Sequence, residues 1–113
     1  MITKNNLKID RDFSVNTNWK PTCIEAYIEN RGIVYVPDDS GETWANIYAM
    51  YVPKDKSVCV ECNIHTDYSC SEPLTLEITD EEKELIISEL ERICMEEEGK
   101  SCAELIAESE EGE

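Results

Sequence analysis

The apolar periodicity of the chain changes once, at Thr79, and this change constrains the fold more than any other feature. Between residues 22 and 78, apolar and polar side chains alternate as they do in half-buried β-strands. Because no helical pattern lies between the strands, the chain lacks the units that build a parallel sheet. The sequence therefore predicts an α+β fold: an antiparallel sheet of four to five strands, followed by an amphipathic helix and a short second helix. The apolar stripe of the longer helix is Ile86, Ile87, Leu90, Ile93 and Cys94.

The strands are predicted where alternation is bounded by turn residues. The first 21 residues are polar and short of periodicity, so we expect an irregular segment with a strand at 7–9. Asn30, Arg31 and Gly32 predict a turn, which would pair the strands on either side of it as a hairpin. The predicted strands of the sheet are 22–29, 33–36, 44–52, 57–65 and 74–78.

Capping signals bound both helices. Thr79 followed by Glu82 is a capping box, in which each side chain binds a backbone N–H of the other residue. Gly99 is placed to end the first helix, and Ser101 with Glu104 forms a second capping box. The predicted helices are 80–98 and 101–111.

The length of 113 residues suits one domain, 1–113. Six cysteines are too few per residue for a disulfide scaffold, and the first residues hold no apolar core of a signal peptide. We therefore expect a cytoplasmic protein with reduced thiols and no cofactor. The predicted segments are an irregular N-terminal one at 1–21, a sheet at 22–78 and an acidic helical one at 79–111.

One cluster of metal-ligand residues invites a zinc interpretation. Cys59, Cys62, His65 and Cys70 resemble a zinc knuckle, although the gap between Cys62 and His65 is two residues rather than four. A strand through Cys59 and His65 would place them on one face but roughly 20 Å apart, too far to share a metal ion. We therefore expect core or edge thiols, and a small zinc-binding domain stays as an alternative.

Charge is concentrated in the helical part of the chain. The net charge is −16; residues 71–113 hold 16 acidic side chains and 3 basic ones. This charge disfavours direct binding to nucleic acids and to anionic membranes. A solvated helix face explains much of it, yet Glu96, Glu97 and Glu98 crowd a helix C-terminus, where the dipole disfavours anions. Such a field would steer a basic protein into contact. The candidate partner-binding residues are Glu84, Glu91, Glu96, Glu97, Glu98, Glu104 and Glu108.

The profile of a small acidic chain without a catalytic motif resembles the inhibitors that phages and mobile elements encode, anti-CRISPR proteins among them. The resemblance implies a non-enzymatic inhibitor that mimics nucleic acid and blocks the guide, target or PAM-reading groove of a CRISPR nuclease. Immunity proteins and antitoxins against nuclease toxins fit the same profile, as does a general interaction or regulatory domain. In that last case Tyr35, Trp44, Tyr48 and Tyr51 could form the interface, although as sheet residues they are expected in the core.

Overall fold

The computed structural model describes residues 2–18, 21–34, 44–65 and 73–111, and it confirms the predicted α+β arrangement. Within these residues a five-stranded antiparallel sheet precedes two helices. The strands are β1 Ser14–Asn16, β2 Cys23–Ile28, β3 Trp44–Val52, β4 Ser57–His65 and β5 Leu74–Leu76, and the helices are α1 Asp80–Glu98 and α2 Cys102–Glu111.

The strand order in the sheet is β1-β2-β3-β4-β5, so each strand pairs with its neighbour in sequence. The centre is the hairpin of β3 and β4, two nine-residue strands in which Tyr48 lies opposite Glu61. The turn at 53–56 joins them, and Lys56 adopts a positive φ of 52° there. The bounds predicted for these two strands are confirmed, because alternation and turn residues both lie within the hairpin itself.

The predicted hairpin between 22–29 and 33–36 is wrong for the residues that the structure describes. β2 pairs with β1 and β3, and residues 33–34 form a bend rather than a strand, while 35–36 lie outside the described residues. The cause is the Asn30 side chain: its Oδ1 accepts from the Val34 N–H at 3.0 Å, and its Nδ2 donates to the Val34 carbonyl at 3.2 Å. A local side-chain turn thus occupies the groups that a strand would use.

The N-terminal segment is less irregular than the sequence suggests. β1 lies within it, and the strand expected at 7–9 is reduced to a single bridge between Ile9 and Ile28. Ile2 and Ile9 are both buried in the core, each 4% exposed. The segment therefore extends the sheet and closes one side of the core.

The core lies between one face of the sheet and the helices. Its largest fully buried side chains include Ile24, Ile47, Ile86, Leu90 and Ile93. Each contributes about 1.5–3 kcal/mol by leaving water, so the apolar stripe of α1 fixes that helix on the sheet. In the described part of the chain, no helix covers the opposite face of the sheet.

Both predicted ends of α1 are confirmed. Thr79 Oγ1 accepts from the Glu82 N–H at 3.2 Å, while Glu82 Oε1 accepts from the Thr79 N–H at 2.8 Å. Gly99 adopts φ 68° and donates its N–H to the Met95 carbonyl at 2.9 Å. In the described part of the chain, neither helix is both long enough and apolar enough to span a bilayer.

Candidate functional site

The acidic side chains of α1 and α2 form the most strongly charged surface among the described residues. We call this the acidic helical surface, defined by the exposed members of the predicted set. Because both helices pack on the same face of the sheet, their outer sides face solvent together. The exposed members are Glu84, Glu96, Glu97, Glu98, Glu104 and Glu108.

Glu91, the remaining residue of the predicted set, is not part of the exposed surface. Its side chain is half-buried: Oε1 accepts from the Cys102 N–H at 2.8 Å, and Oε2 accepts from the Tyr51 hydroxyl at 3.4 Å. The N–H groups of a first helical turn have no partner within the helix, so a carboxylate there satisfies a donor and complements the dipole. Burial, with the Glu91 charge beside it, raises the pKa of Tyr51 to about 12. Glu91 therefore stabilises the start of α2 and does not belong to the exposed surface.

Two arginines neutralise part of the crowded end of α1. Arg92 pairs with Glu89 and Glu96 along the helix. Arg11 reaches across from the N-terminal segment and pairs with Glu96 and Glu97, each at 3.1 Å. Hydrogen bonds from the two guanidinium groups lower the pKa of Glu96. Sequence spacing predicts the Arg92 pairs, but Arg11 is more than 80 residues away and gives no local signal.

Other acidic residues of α1 lie at the surface. Asp80, Glu81, Glu84 and Glu98 are exposed, and none forms an ion pair with another described residue. Three of them lie in the first turns of α1, where the helix dipole favours anions. Glu98 lies at the opposite end, where the dipole opposes it by about 0.3–1 kcal/mol before screening. Within α1, the exposed carboxylates that form no ion pair with a described base therefore lie towards its two ends.

On α2, the two predicted residues already have partners within the chain. Glu104 completes the second capping box: its N–H donates to Ser101 Oγ at 3.2 Å, and its Oε1 accepts from the Ser101 N–H at 3.4 Å. Glu108 pairs with Lys100. These contacts are exposed and leave carboxylate oxygens accessible, but they make α2 a weaker source of free charge than α1.

A groove of about 760 Å³ runs between the N-terminal segment and the first half of α1. Ile2 and Leu85 supply apolar lining, and Glu81 and Glu84 also line it. The Ile2 N–H donates to Glu82 Oε2 at 2.7 Å, which holds the segment against the helix. An apolar channel beside carboxylates suits the stem and charged head of a lysine or arginine side chain. Sequence reasoning misses this groove because it depends on a contact between the N-terminal segment and α1, which are far apart in sequence.

The helix-free face of the sheet carries aromatic groups. The Trp44 side chain, 47% exposed, stacks on the His65 ring at a centroid distance of 5.4 Å, and Tyr27, 54% exposed, packs edge-on against Tyr48. Tyr48 donates its hydroxyl to Glu61 at 2.9 Å, and its pKa rises to about 12, chiefly through burial. Of the predicted aromatic residues, Tyr51 lies in the core and Tyr35 lies outside the described residues.

The described residues do not bring the candidate zinc ligands together. Cys62 points into the core at 1% exposure, whereas Cys59 and His65 lie on the opposite face of β4, and Cys70 lies outside the described residues. Among residues 2–18, 21–34, 44–65 and 73–111, no three His, Cys, Asp or Glu side chains are grouped so as to hold a metal ion. Burial also raises the pKa of the Cys59 and Cys62 thiols, which disfavours the thiolates that bind zinc.

The chain matches no model of a protein family, no curated protein and no solved structure. Two described surfaces carry exposed groups suited to binding: the acidic helical surface with its adjoining groove, and the aromatic sheet face. They lie on opposite sides of the sheet, because the helices cover only one of its faces.

Proposed function

We propose that this chain is a non-catalytic inhibitor whose acidic helical surface occupies the basic nucleic-acid-binding surface of a nuclease. The observation that carries the proposal is the excess of exposed carboxylates on α1 over the bases that pair with them. Arg11 and Arg92 pair with some of these carboxylates, whereas Glu84 and Glu98 form no ion pair with a described base, although the Lys100 charge lies close enough to interact with Glu98. A surface selected only for stability would place bases near the C-terminal end of such a helix.

The dimensions of α1 support mimicry of a nucleic-acid backbone. Glu81 and Glu98 are separated by 17 residues, which at 1.5 Å per residue is about 25 Å along the helix. This length corresponds to roughly seven base-pair steps of a duplex. A helix held on a sheet by a buried stripe has a fixed backbone, so binding does not have to order the segment that carries the carboxylates. Lysine and arginine side chains of a nucleic-acid channel are the complementary groups.

The partner class that we propose is an RNA-guided CRISPR nuclease, with nuclease toxins as the alternative target of the same surface. Both carry extended basic channels, and occupation of such a channel excludes the substrate without any chemistry by the inhibitor. The long-range field of the acidic surface would raise the association rate at low salt. Binding should therefore weaken as ionic strength rises.

The experiment is a DNA-cleavage assay with a panel of purified RNA-guided nucleases and nuclease toxins, each with and without the chain. The test variant carries Glu84→Lys and Glu98→Lys. The control carries Asp55→Lys and Glu77→Lys, which change the net charge equally but lie outside the two helices. We expect wild-type inhibition of at least one nuclease, lost at least tenfold in the test variant and retained in the control. Equal potency of the two variants, or no inhibition across the panel, would contradict the proposal.

A second candidate function is an ordinary interaction domain that binds through the aromatic sheet face. The half-exposed Trp44 and Tyr27 favour it, since aromatic side chains are enriched at the energetic centres of interfaces. In that case Trp44→Ala, rather than reversal of Glu84 and Glu98, would abolish binding. The affinity would also change little between low and high salt.

A further inference from the structure

Two buried cysteines meet where α1 and α2 join. Cys94 lies in the last two turns of α1, and Cys102 is the first residue of α2. Their Sγ atoms are 3.0 Å apart, both residues are 0% exposed, and both thiols are free. This separation is closer than an ordinary contact between two sulfur atoms. Only a small approach separates it from the 2.05 Å of a disulfide bond.

We propose that Cys94 and Cys102 form a modification site, at which hydrogen peroxide joins the two thiols as a disulfide linking α1 to α2. In the first step the Cys94 sulfur attacks one peroxide oxygen. The O–O bond breaks, an S–O bond forms, and the second oxygen leaves as hydroxide, which takes the Cys94 proton and becomes water. In the second step the Cys102 sulfur attacks Cys94, an S–S bond forms, and the S–O bond breaks. The departing hydroxide takes the Cys102 proton, so that two thiols and one peroxide yield one disulfide and two waters.

The surroundings of the pair assign the two roles. The hydrogen bond between the two thiols lowers the pKa of Cys94, which favours the nucleophilic thiolate at that position. The pKa of Cys102 is raised by the same hydrogen bond, with burial adding to it, so Cys102 keeps the proton until the second step. The Glu91 carboxylate accepts from the Cys102 N–H and fixes the start of α2 beside the last turns of α1.

The other described cysteines are not arranged for such a reaction. Cys59 and Cys62 are three residues apart on one strand and point to opposite faces of the sheet, so their Cα atoms are roughly 10 Å apart. A disulfide needs Cα atoms within about 7 Å. Cys23 on β2 is separated from Cys59 on β4 by the intervening strand β3, and burial raises the pKa of Cys23 to about 11. Among the described cysteines, the pair at the helix junction is therefore the one placed to form a disulfide.

The consequence of the bond would be a fixed angle between the two helices. The disulfide closes a loop of nine residues around Gly99, and α2 loses its freedom to open away from α1. A loop of this size constrains the unfolded chain, so we expect the midpoint of thermal unfolding to rise by about 10 °C. The inference is independent of the proposed function, since it rests on the two sulfurs and their elements alone.

The test uses the folded chain, treated with hydrogen peroxide, then denatured at neutral pH in excess alkylating reagent to trap free thiols. Trypsin cleaves after Arg92 and Lys100, so Cys94 lies on peptide 93–100 and Cys102 on peptide 101–113. We expect these two peptides to be joined after oxidation and separate after reduction. We also expect the intact mass to fall by about 2 Da and the unfolding midpoint to rise.

The control variant is Cys59→Ala, which should form the same linked peptides as the wild type. Cys102→Ala should leave Cys94 unable to pair, and circular dichroism will show whether that variant is folded. The wild-type peptide map keeps the test decisive even if Cys102→Ala fails to fold. Absence of the linked peptides, or linkage of other cysteines instead, would overturn the proposal, provided that a reference dithiol peptide in the same tube is oxidised.

Discussion

Replacing Glu91 by alanine tests whether this carboxylate belongs to the fold rather than to the binding surface. The substitution removes the acceptor of the Cys102 N–H at 2.8 Å, a charge-assisted hydrogen bond of about 1.5–3 kcal/mol. It also leaves the Tyr51 hydroxyl, in a residue 2% exposed, without its acceptor. That contact is long at 3.4 Å, so its loss adds about 1 kcal/mol or less. We therefore expect a loss of about 2–4 kcal/mol in the free energy of unfolding.

The assay is urea unfolding at pH 7, followed by circular dichroism at 222 nm, and the matched control is Glu98→Ala. Both variants remove one negative charge from α1, but Glu98 is exposed and has no described ion pair. The control should change the free energy of unfolding by at most about 0.5 kcal/mol, with a small gain from relief of the helix dipole. For 113 residues, 1 kcal/mol shifts the melting midpoint by about 4 °C, so Glu91→Ala should melt about 8–16 °C lower. If the two variants were equally stable, the assignment of Glu91 to the fold would be wrong.

Two further predictions concern the ends of α1. Hydrogen bonds from the Thr79 and Ile2 N–H groups lower the pKa of Glu82, so its stabilising effect is present above the ordinary value of 4.5 and lost as pH falls through the lowered one. Glu82→Gln should lower the free energy of unfolding by about 1–2 kcal/mol at pH 7 relative to the wild type. This difference should shrink towards pH 3, and a difference independent of pH would contradict the assignment. Gly99→Ala should cost about 1 kcal/mol in urea unfolding, because φ is 68° while the space for a Cβ is open, and Gly99→Asn should cost less. Equal stability of Gly99→Ala and the wild type would contradict the left-handed cap.

The parts of the fold that could be predicted are those whose signals lie close together in sequence. The bounds of α1 follow from its apolar stripe and from caps at Thr79 and Gly99, all within one segment. The hairpin of β3 and β4 follows from alternation on both sides of a short turn. The absence of a strand at 33–34 also has a local cause, the hydrogen bonds between the Asn30 side chain and the Val34 backbone. The free energies of this turn and of strand pairing differ little, so the sequence pattern does not show which of the two forms.

The site was less predictable because its electrostatics depend on contacts between distant segments. Helical periodicity places Glu91 on the same stripe as Glu84 and Glu98, and only the docking of α2 shows that Glu91 is covered. Ion pairs within four residues can be read from spacing, as with Arg92. Arg11 contacts the far end of α1 through the tertiary fold, so the free charge there is smaller than the sequence suggests.

Some acidic residues of α1 thus stabilise the fold, and others only contribute charge to the surface. Glu82 and Glu91 accept backbone N–H groups from the N-terminal segment and from α2, so they join three parts of the chain. Glu84 and Glu98 contact no described base and contribute little to the fold. Under the proposed function, reversal of the second pair should change partner affinity without changing stability, because a surface charge away from ion pairs and caps shifts unfolding by about 0.5 kcal/mol or less. A loss of binding in the variant with Glu84 and Glu98 reversed would therefore reflect lost recognition of the partner, since the fold itself would be unchanged.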